Sequence, residues 1–216
     1  MTLRERARTI EDKETRRRAI LDAARALFSE RGWSGFAMAE VAARSGLVKG
    51  TLYLYWPTKE ELLLSVLEEL LWQWLDELDA RLDDTRAPAG PRKLAGVVCD
   101  SLASYEPLGR LLAVLQTVLE HNVSRDSIAR FKTQLLQRLQ VSGARLERLM
   151  PSLPAGHGLR ALLHLNALLV GLVQMADPAP LVRELLATAA LQPLSVDLQR
   201  ELRAALTTYF TGLTGR

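Results

Sequence analysis

The chain holds a single cysteine, Cys99, in 216 residues. That excludes an intramolecular disulfide framework and fits a reducing compartment. Aromatic residues make up only 6% of the sequence, and alternating Val/Ile/Thr runs are almost absent, so no segment reads as a strand. The opening "MTLRERARTIEDKETRRR" is charged where a secretory signal needs an apolar region. The most apolar run, Ala161–Ala176, is interrupted by His164, Asn166 and Gln174 and falls short of the ~18 uninterrupted apolar residues expected of a membrane span. The expectation is a cytoplasmic protein with no membrane partner. The three histidines, His121, His157 and His164, are too scattered for a metal centre, and no cysteine pair supports one. There is no nucleophile–base pair and no phosphate-cradling loop. No catalytic residue, metal or cofactor is therefore expected, and the chain does not read as an enzyme.

What is present is helical. Leu and Ala dominate, and Ile20, Ala23, Ala24, Leu27 and Phe28 fall on one stripe of a first helix over about Glu14–Arg31, stopped by Gly32. "WSGF" is a turn, with Trp33 and Phe36 covering the core. A second helix over about Met38–Ser45 ends at Gly46. A third starts near Lys49 and is closed by Pro57. "TKEELL" places Thr58 as an N-cap with Glu61 three residues on, the pattern of a capping box, and opens a long helix to about Leu82. Asp83–Pro91 is a loop. Helices follow over about Lys93–Tyr105, Leu108–His121, Arg125–Leu149, Leu159–Met175, Leu181–Ala189 and Val196–Leu213. The fold class is all-α, with an N-terminal three-helix head (1–57) on a larger C-terminal helical body (58–216).

The net charge of +3 hides an asymmetry. Residues 1–56 carry eleven basic and seven acidic side chains, an excess of four, and a polyanionic partner fits such a surplus. The third helix, inside "SGLVKGTLYLYW", is too short to stand alone, because ~12–15 residues are marginal even in favourable sequences. Packing of Leu47, Leu52 and Trp56 holds it. Helix, tight glycine turn and short helix make a helix-turn-helix, whose second helix enters the DNA major groove. Lys49, Gly50, Thr51, Tyr53, Leu54 and Tyr55 then share its outward face and margins. Gly50 permits close backbone approach, Lys49 and Thr51 can meet phosphates or base edges, and the tyrosine hydroxyls can donate to phosphate.

Arg16–Leu63, through "AARALFSERG", "VAARSG", "KGTLYLYW" and "TKEEL" in that order, resembles the DNA-binding domain of TetR-type transcriptional repressors. The resemblance covers about a quarter of the chain. It implies a homodimer placing two recognition helices in successive major grooves of a roughly palindromic operator, and a body cavity whose ligand releases the DNA. It also makes Lys59 a phosphate contact, which agrees with an ammonium at the start of a helix. There are three departures from the family pattern. Val48 replaces a frequent Ser cap, a loss worth ~0.5–2 kcal/mol. Leu54 replaces a frequent His, leaving an apolar contact such as a thymine methyl. Met38 and Ala39 stand around the usual Thr cap of the second helix.

In the body, Trp72 and Trp74 flank Gln73 and point to different sides, one toward a cavity and one toward a neighbouring helix. Tyr105, Gln116, Glu120, His121, Asn122, Phe131 and Gln134 add aromatic and polar groups, the composition of a small-molecule site. Ordinary core and surface is the competing reading for each. Cys99 beside Asp100 is disfavoured as a thiolate and so as a redox sensor. The helix Leu159–Met175 is apolar on nearly all sides and must be buried all round, against its own subunit and a second one. With the last helix it offers a two-fold face of Leu163, His164, Ala167, Val170, Gly171, Gln174, Leu202, Leu206 and Phe210, Ala161 also being small enough for close approach; burial within one subunit is the alternative.

The expected function is that of a ligand-released, dimeric transcriptional repressor, with double-stranded DNA, a second copy of itself and a small, largely apolar ligand as partners. Two alternatives stay open: a small-molecule-binding protein with a degenerate head, and an activator with the same head.

Overall fold

Two glycines set the geometry of the N-terminal helices. Gly32 and Gly46 adopt φ of 62° and 69°, a left-handed conformation that a Cβ would penalise, and each turns the chain sharply after a helix. The computed structural model describes residues 3–115 and 117–214, and side chains from Asp12 to Leu213 within them. Among the described residues there are ten α-helices, two short 3₁₀ turns and no strand. They are α1 (Leu3–Arg31), α2 (Met38–Arg44), α3 (Lys49–Tyr55), α4 (Lys59–Asp83), α5 (Pro91–Leu102), α6 (Glu106–Leu115), α7 (Arg125–Leu149), α8 (His157–Ala176), α9 (Pro180–Leu186) and α10 (Leu198–Thr214). The 3₁₀ turns are Leu119–His121 and Gln192–Leu194.

The boundaries depart from the sequence reading by more than three residues in two places. α1 starts at Leu3 rather than near Glu14, its charged leader continuing the helix without an apolar stripe to announce it. The helix expected over Leu108–His121 ends at Leu115, and a 3₁₀ turn follows.

The chain divides into two compact units. One comprises Met1–Glu69 with Val114–Ile128, the other Leu70–Ala113 with Ala129–Arg216. In the first, Ile20, Leu21, Ala24, Leu27 and Phe28 of α1 are buried, as are Phe36, Met38, Val41, Ala42, Leu52, Trp56, Leu62 and Leu63. Each such large apolar side chain contributes roughly 1.5–3 kcal/mol. α2 packs on α1 and on α3. The guanidinium of Arg44 grips both carboxylate oxygens of Glu30 at 2.8 and 2.6 Å, and Arg31 donates to Glu40 at 2.7 Å. The Arg44 hydrogen bonds hold the Glu30 carboxyl below the ordinary carboxylate range. Two of the eleven basic side chains of the head are thus spent on fastening α1 to α2.

The capping box forms by half. Thr58 Oγ1 accepts the Glu61 N–H at 3.1 Å, but the Glu61 carboxylate does not close back on its own helix. It accepts the Ser124 N–H at 2.7 Å, and the Thr58 hydroxyl donates to the Asn122 carbonyl at 3.3 Å. The start of α4 is thereby tied to the segment that opens α7, a partner more than sixty residues away that local spacing could not reveal.

In the second unit α10 packs on α5 and α8, and α7 crosses α8 at two glycines. A Cβ on Gly158 would lie 2.0 Å from the Gly143 carbonyl oxygen, and one on Gly143 would lie 2.6 Å from the Leu159 nitrogen. Arginines of α7 fasten it to α4: Arg138 to Asp76 at 2.5 Å, Arg145 to Asp83 at 2.9 Å, and Arg148 to the Leu82 carbonyl at 2.9 Å. α8 has the length and composition to cross a membrane, more than its interrupted sequence suggests. It is not buried all round. Ala161, Leu162, Leu165, Leu169 and Val173 form its buried stripe, which meets α10 and sets Val173 against Gly109 of α6.

Candidate nucleic-acid interface

The seven residues of α3 sort by side. Leu52 is fully buried and anchors the helix, and Trp56 follows it into the core, its indole N–H donating to Ser65 Oγ at 2.8 Å. Opposite them Lys49, Gly50, Tyr53 and Leu54 are exposed, while Thr51 and Tyr55 are half-buried at the margins. Tyr55 stacks on Trp56 with ring centroids 5.9 Å apart. The Lys49 ammonium lies 5.7 Å from the Tyr53 ring centroid. A Cβ placed on Gly50 would meet nothing within 4 Å, so a base edge or phosphate could approach its backbone closely.

Neither short helix of this unit has a side-chain cap: Ala37 precedes α2 and Val48 precedes α3, and neither side chain bonds a backbone N–H. Val48 is 73% exposed. Between the starts of α2 and α4 lies an open recess of about 350 Å³, bounded by Phe36–Ala39, Lys49, Tyr53 and Pro57–Glu60. Lys49, Tyr53 and Lys59 all line it, so two cations and a tyrosine border one concavity. Glu60, also on its wall, is nearly buried. Lys59 is half-buried, with its ammonium 3.8 Å from the Trp33 ring centroid. Sequence reasoning placed Trp33 only as a core cover and missed this cation–π seat. A lysine held over an indole face is positioned in advance, at some cost to its freedom to reach a phosphate.

Two of the aromatic side chains expected to line a ligand pocket are in contact. Trp72 and Phe131 meet with ring centroids 6.0 Å apart, Phe131 fully buried. The Tyr105 hydroxyl donates to the Gln73 carbonyl at 3.2 Å. Trp74 is core: it is buried, and its indole N–H donates to Ser101 Oγ at 2.9 Å. Glu120 and His121 belong to the first unit, and Gln116 lies outside the described residues. Two open recesses of the second unit lie at the C-terminal end of α8. One of about 430 Å³ is bounded by Glu106, Arg110, Val173, Ala176, Asp177 and Val196–Gln199. A smaller one of about 290 Å³ lies beside it, from Met175 to Val196.

The expected two-fold face divides. Leu163, His164, Ala167 and Gln174 are exposed, and Val170 and Gly171 half-buried. His164 Nδ1 and the Tyr209 hydroxyl are hydrogen-bonded at 2.8 Å. Leu202, Leu206 and Phe210 are corrected: each is at most 2% exposed, inside the chain's own core. The apolar stripe of α10 belongs to α5 and α8. Apolar surface that sequence reading left unassigned includes the α9 segment, where Leu181, Val182, Leu185, Leu191 and Leu194 are all exposed. Cys99 is fully buried, and burial raises its thiol pKa. Among the described residues no group of three or more His, Cys, Asp or Glu could hold a metal ion.

Residues 20–66 match the family model described as "Bacterial regulatory proteins, tetR family", and residues 68–216 match "Tetracyclin repressor-like, C-terminal domain". The chain is 30% identical over 113 residues to the transcriptional regulator RutR of Escherichia coli K12, covering 52% of each. It is 36% identical over 80 residues to the transcriptional repressor KstR of Mycolicibacterium smegmatis, 37% of each. The chain thus spans about half the length, or less, of these curated relatives. SmeT, the repressor of the Stenotrophomonas maltophilia multidrug efflux pump SmeDEF, shares the fold, with a TM-score of 0.54 at 24% identity over 91% of this chain and 89% of that one. With both models matched in order, one over the helix-turn-helix and one over the helical body, the chain belongs to the TetR family of transcriptional regulators.

Proposed function

We propose that this protein is a cytoplasmic, homodimeric transcriptional repressor that docks α3 into the major groove of a palindromic operator and is released by a small, largely apolar ligand. The observation that carries the reading is the exposed face of α3 beside a recess lined by both Lys49 and Lys59. Lys49 and Lys59 act on phosphates, Tyr53 and Tyr55 donate hydroxyls, and Gly50 and Thr51 meet base edges. A second copy covers the outer face of α8, from Leu163 to Gln174, together with the exposed apolar side chains of α9. A monomer leaving that much apolar surface in water would be prone to association. The ligand occupies the second unit. Its recess beside Val173 and Val196 joins apolar walls to Glu106 and Arg110. The ligand acts only through its differential affinity for the DNA-competent and released states.

The test is a gel shift of the full chain on the DNA upstream of its own gene, in low and moderate salt, beside Lys49→Ala and Tyr55→Ala. The expected result is a discrete complex weakened by both substitutions and by salt. The uncapped α2 and α3 favour a second reading, a small-molecule-binding protein whose head no longer holds DNA. Absence of any duplex complex, with retained small-molecule binding, selects that reading. Transcription measured with and without the protein separates repression from activation.

A further inference from the structure

The outward face of α3 is two rows of different chemistry. Residues four apart on a helix lie on one side, so Lys49 and Tyr53 form a polar row, coupled at 5.7 Å. Gly50 and Leu54 form the other row. It offers no side-chain donor or acceptor. Leu54 is 86% exposed, the most exposed large apolar side chain among the described residues. Nothing among the described residues buries it, and the position beside Gly50 is open to a distance of at least 4 Å.

A leucine on a groove-facing helix can discriminate bases in one way only. The hydrogen-bonding groups on the major-groove edges of adenine, guanine and cytosine find no partner in it, and the single apolar group displayed there is the 5-methyl of thymine. Gly50, one turn before Leu54, lets the helix backbone sink toward the bases, so that the isobutyl group reaches the groove floor rather than the phosphate ridge. Lys49 beside it and Lys59 on the same recess supply the charge complementarity that makes the occupant a duplex polyanion. Resting on the reading of α3 as the operator-facing helix, we infer that Leu54 is a specificity-determining residue that packs on a thymine 5-methyl, so that each operator half-site carries a thymine at one fixed position.

The test uses the full chain and a duplex obtained by selection from randomised DNA, with each thymine of the selected site replaced singly by deoxyuridine. That exchange deletes the methyl and keeps base pairing and every hydrogen-bonding group. Burying one methyl predicts that one thymine in each half-site loses affinity about fourfold on replacement. Leu54→Ala, at a solvent-exposed position, keeps the fold, as a melting curve would verify. It binds the thymine and deoxyuridine forms of that site alike. Operator binding with no methyl-sensitive thymine overturns the assignment, as does methyl sensitivity that persists in Leu54→Ala. Either result leaves the DNA-binding reading standing. A selection that returns no duplex removes the assignment and that reading together.

Discussion

Lys49 and Lys59 face the same recess but are held differently. Lys49 is exposed and loosely placed near Tyr53, whereas Lys59 is half-buried with its ammonium 3.8 Å from the Trp33 ring centroid. Replacing Lys49 by Ala should weaken duplex binding evenly across sequences and lower the slope of log K against log salt by about 0.9, one phosphate's worth. Lys59→Ala should lose less, because the wild-type side chain must leave part of its indole contact to reach a phosphate; comparing the two slopes checks this. Cys99 gives a second prediction at this scale. Fully buried and with its thiol pKa raised by burial, it should resist iodoacetamide at neutral pH until the chain is unfolded, since the thiolate is the reacting form. The residues of α3 were legible in the sequence because the glycine turn, the short helix and Pro57 are consecutive. The Trp33–Lys59 seat and the Glu61–Ser124 hydrogen bond were not. Both join side chains to partners that only the folded chain brings near, and Glu61 satisfied a local pattern while serving a distant one.

α7 and α8 come close at Gly143 and Gly158. A Cβ on Gly158 would stand 2.0 Å from a backbone oxygen that cannot swing aside, so Gly158→Ala should force the helices apart. Overpacking of this kind costs about 1–3 kcal/mol, and the melting temperature should fall by several degrees. Gly171→Ala, with nothing within 4 Å of the added Cβ, is the control and should change stability little. The outer row of α8 has a different consequence. Leu163 is 49% exposed within one chain, and if a second copy covers it, Leu163→Arg should convert a dimer to a monomer in sedimentation without lowering helicity. The stripe of Leu202, Leu206 and Phe210 shows where a sequence reaches its limit. Amphipathic periodicity marks a face to be buried but does not say whether the covering helix comes from the same chain. Here α5 and α8 cover it, and the surplus apolar surface sits instead on α9, too short a helix for periodicity to single out.

For the molecule as a whole, the all-α class and the order of its helices were readable from composition, helix stops and the 3.6-residue period. The ligand site was not, because a cavity is made by side chains remote in sequence. Of the expected set, Trp74 is core and Trp72 meets Phe131. The central claim is that the family's DNA-binding activity operates through the exposed face of α3. The measurement that meets it most directly is fluorescence anisotropy of the full chain on labelled duplex from its own upstream region, titrated across a series of salt concentrations. The account predicts saturable binding of two chains per operator, with log K falling linearly in log salt and with a shallower slope for Lys49→Ala. Binding indifferent to salt and to Lys49, or none on upstream or selected duplexes, would contradict it.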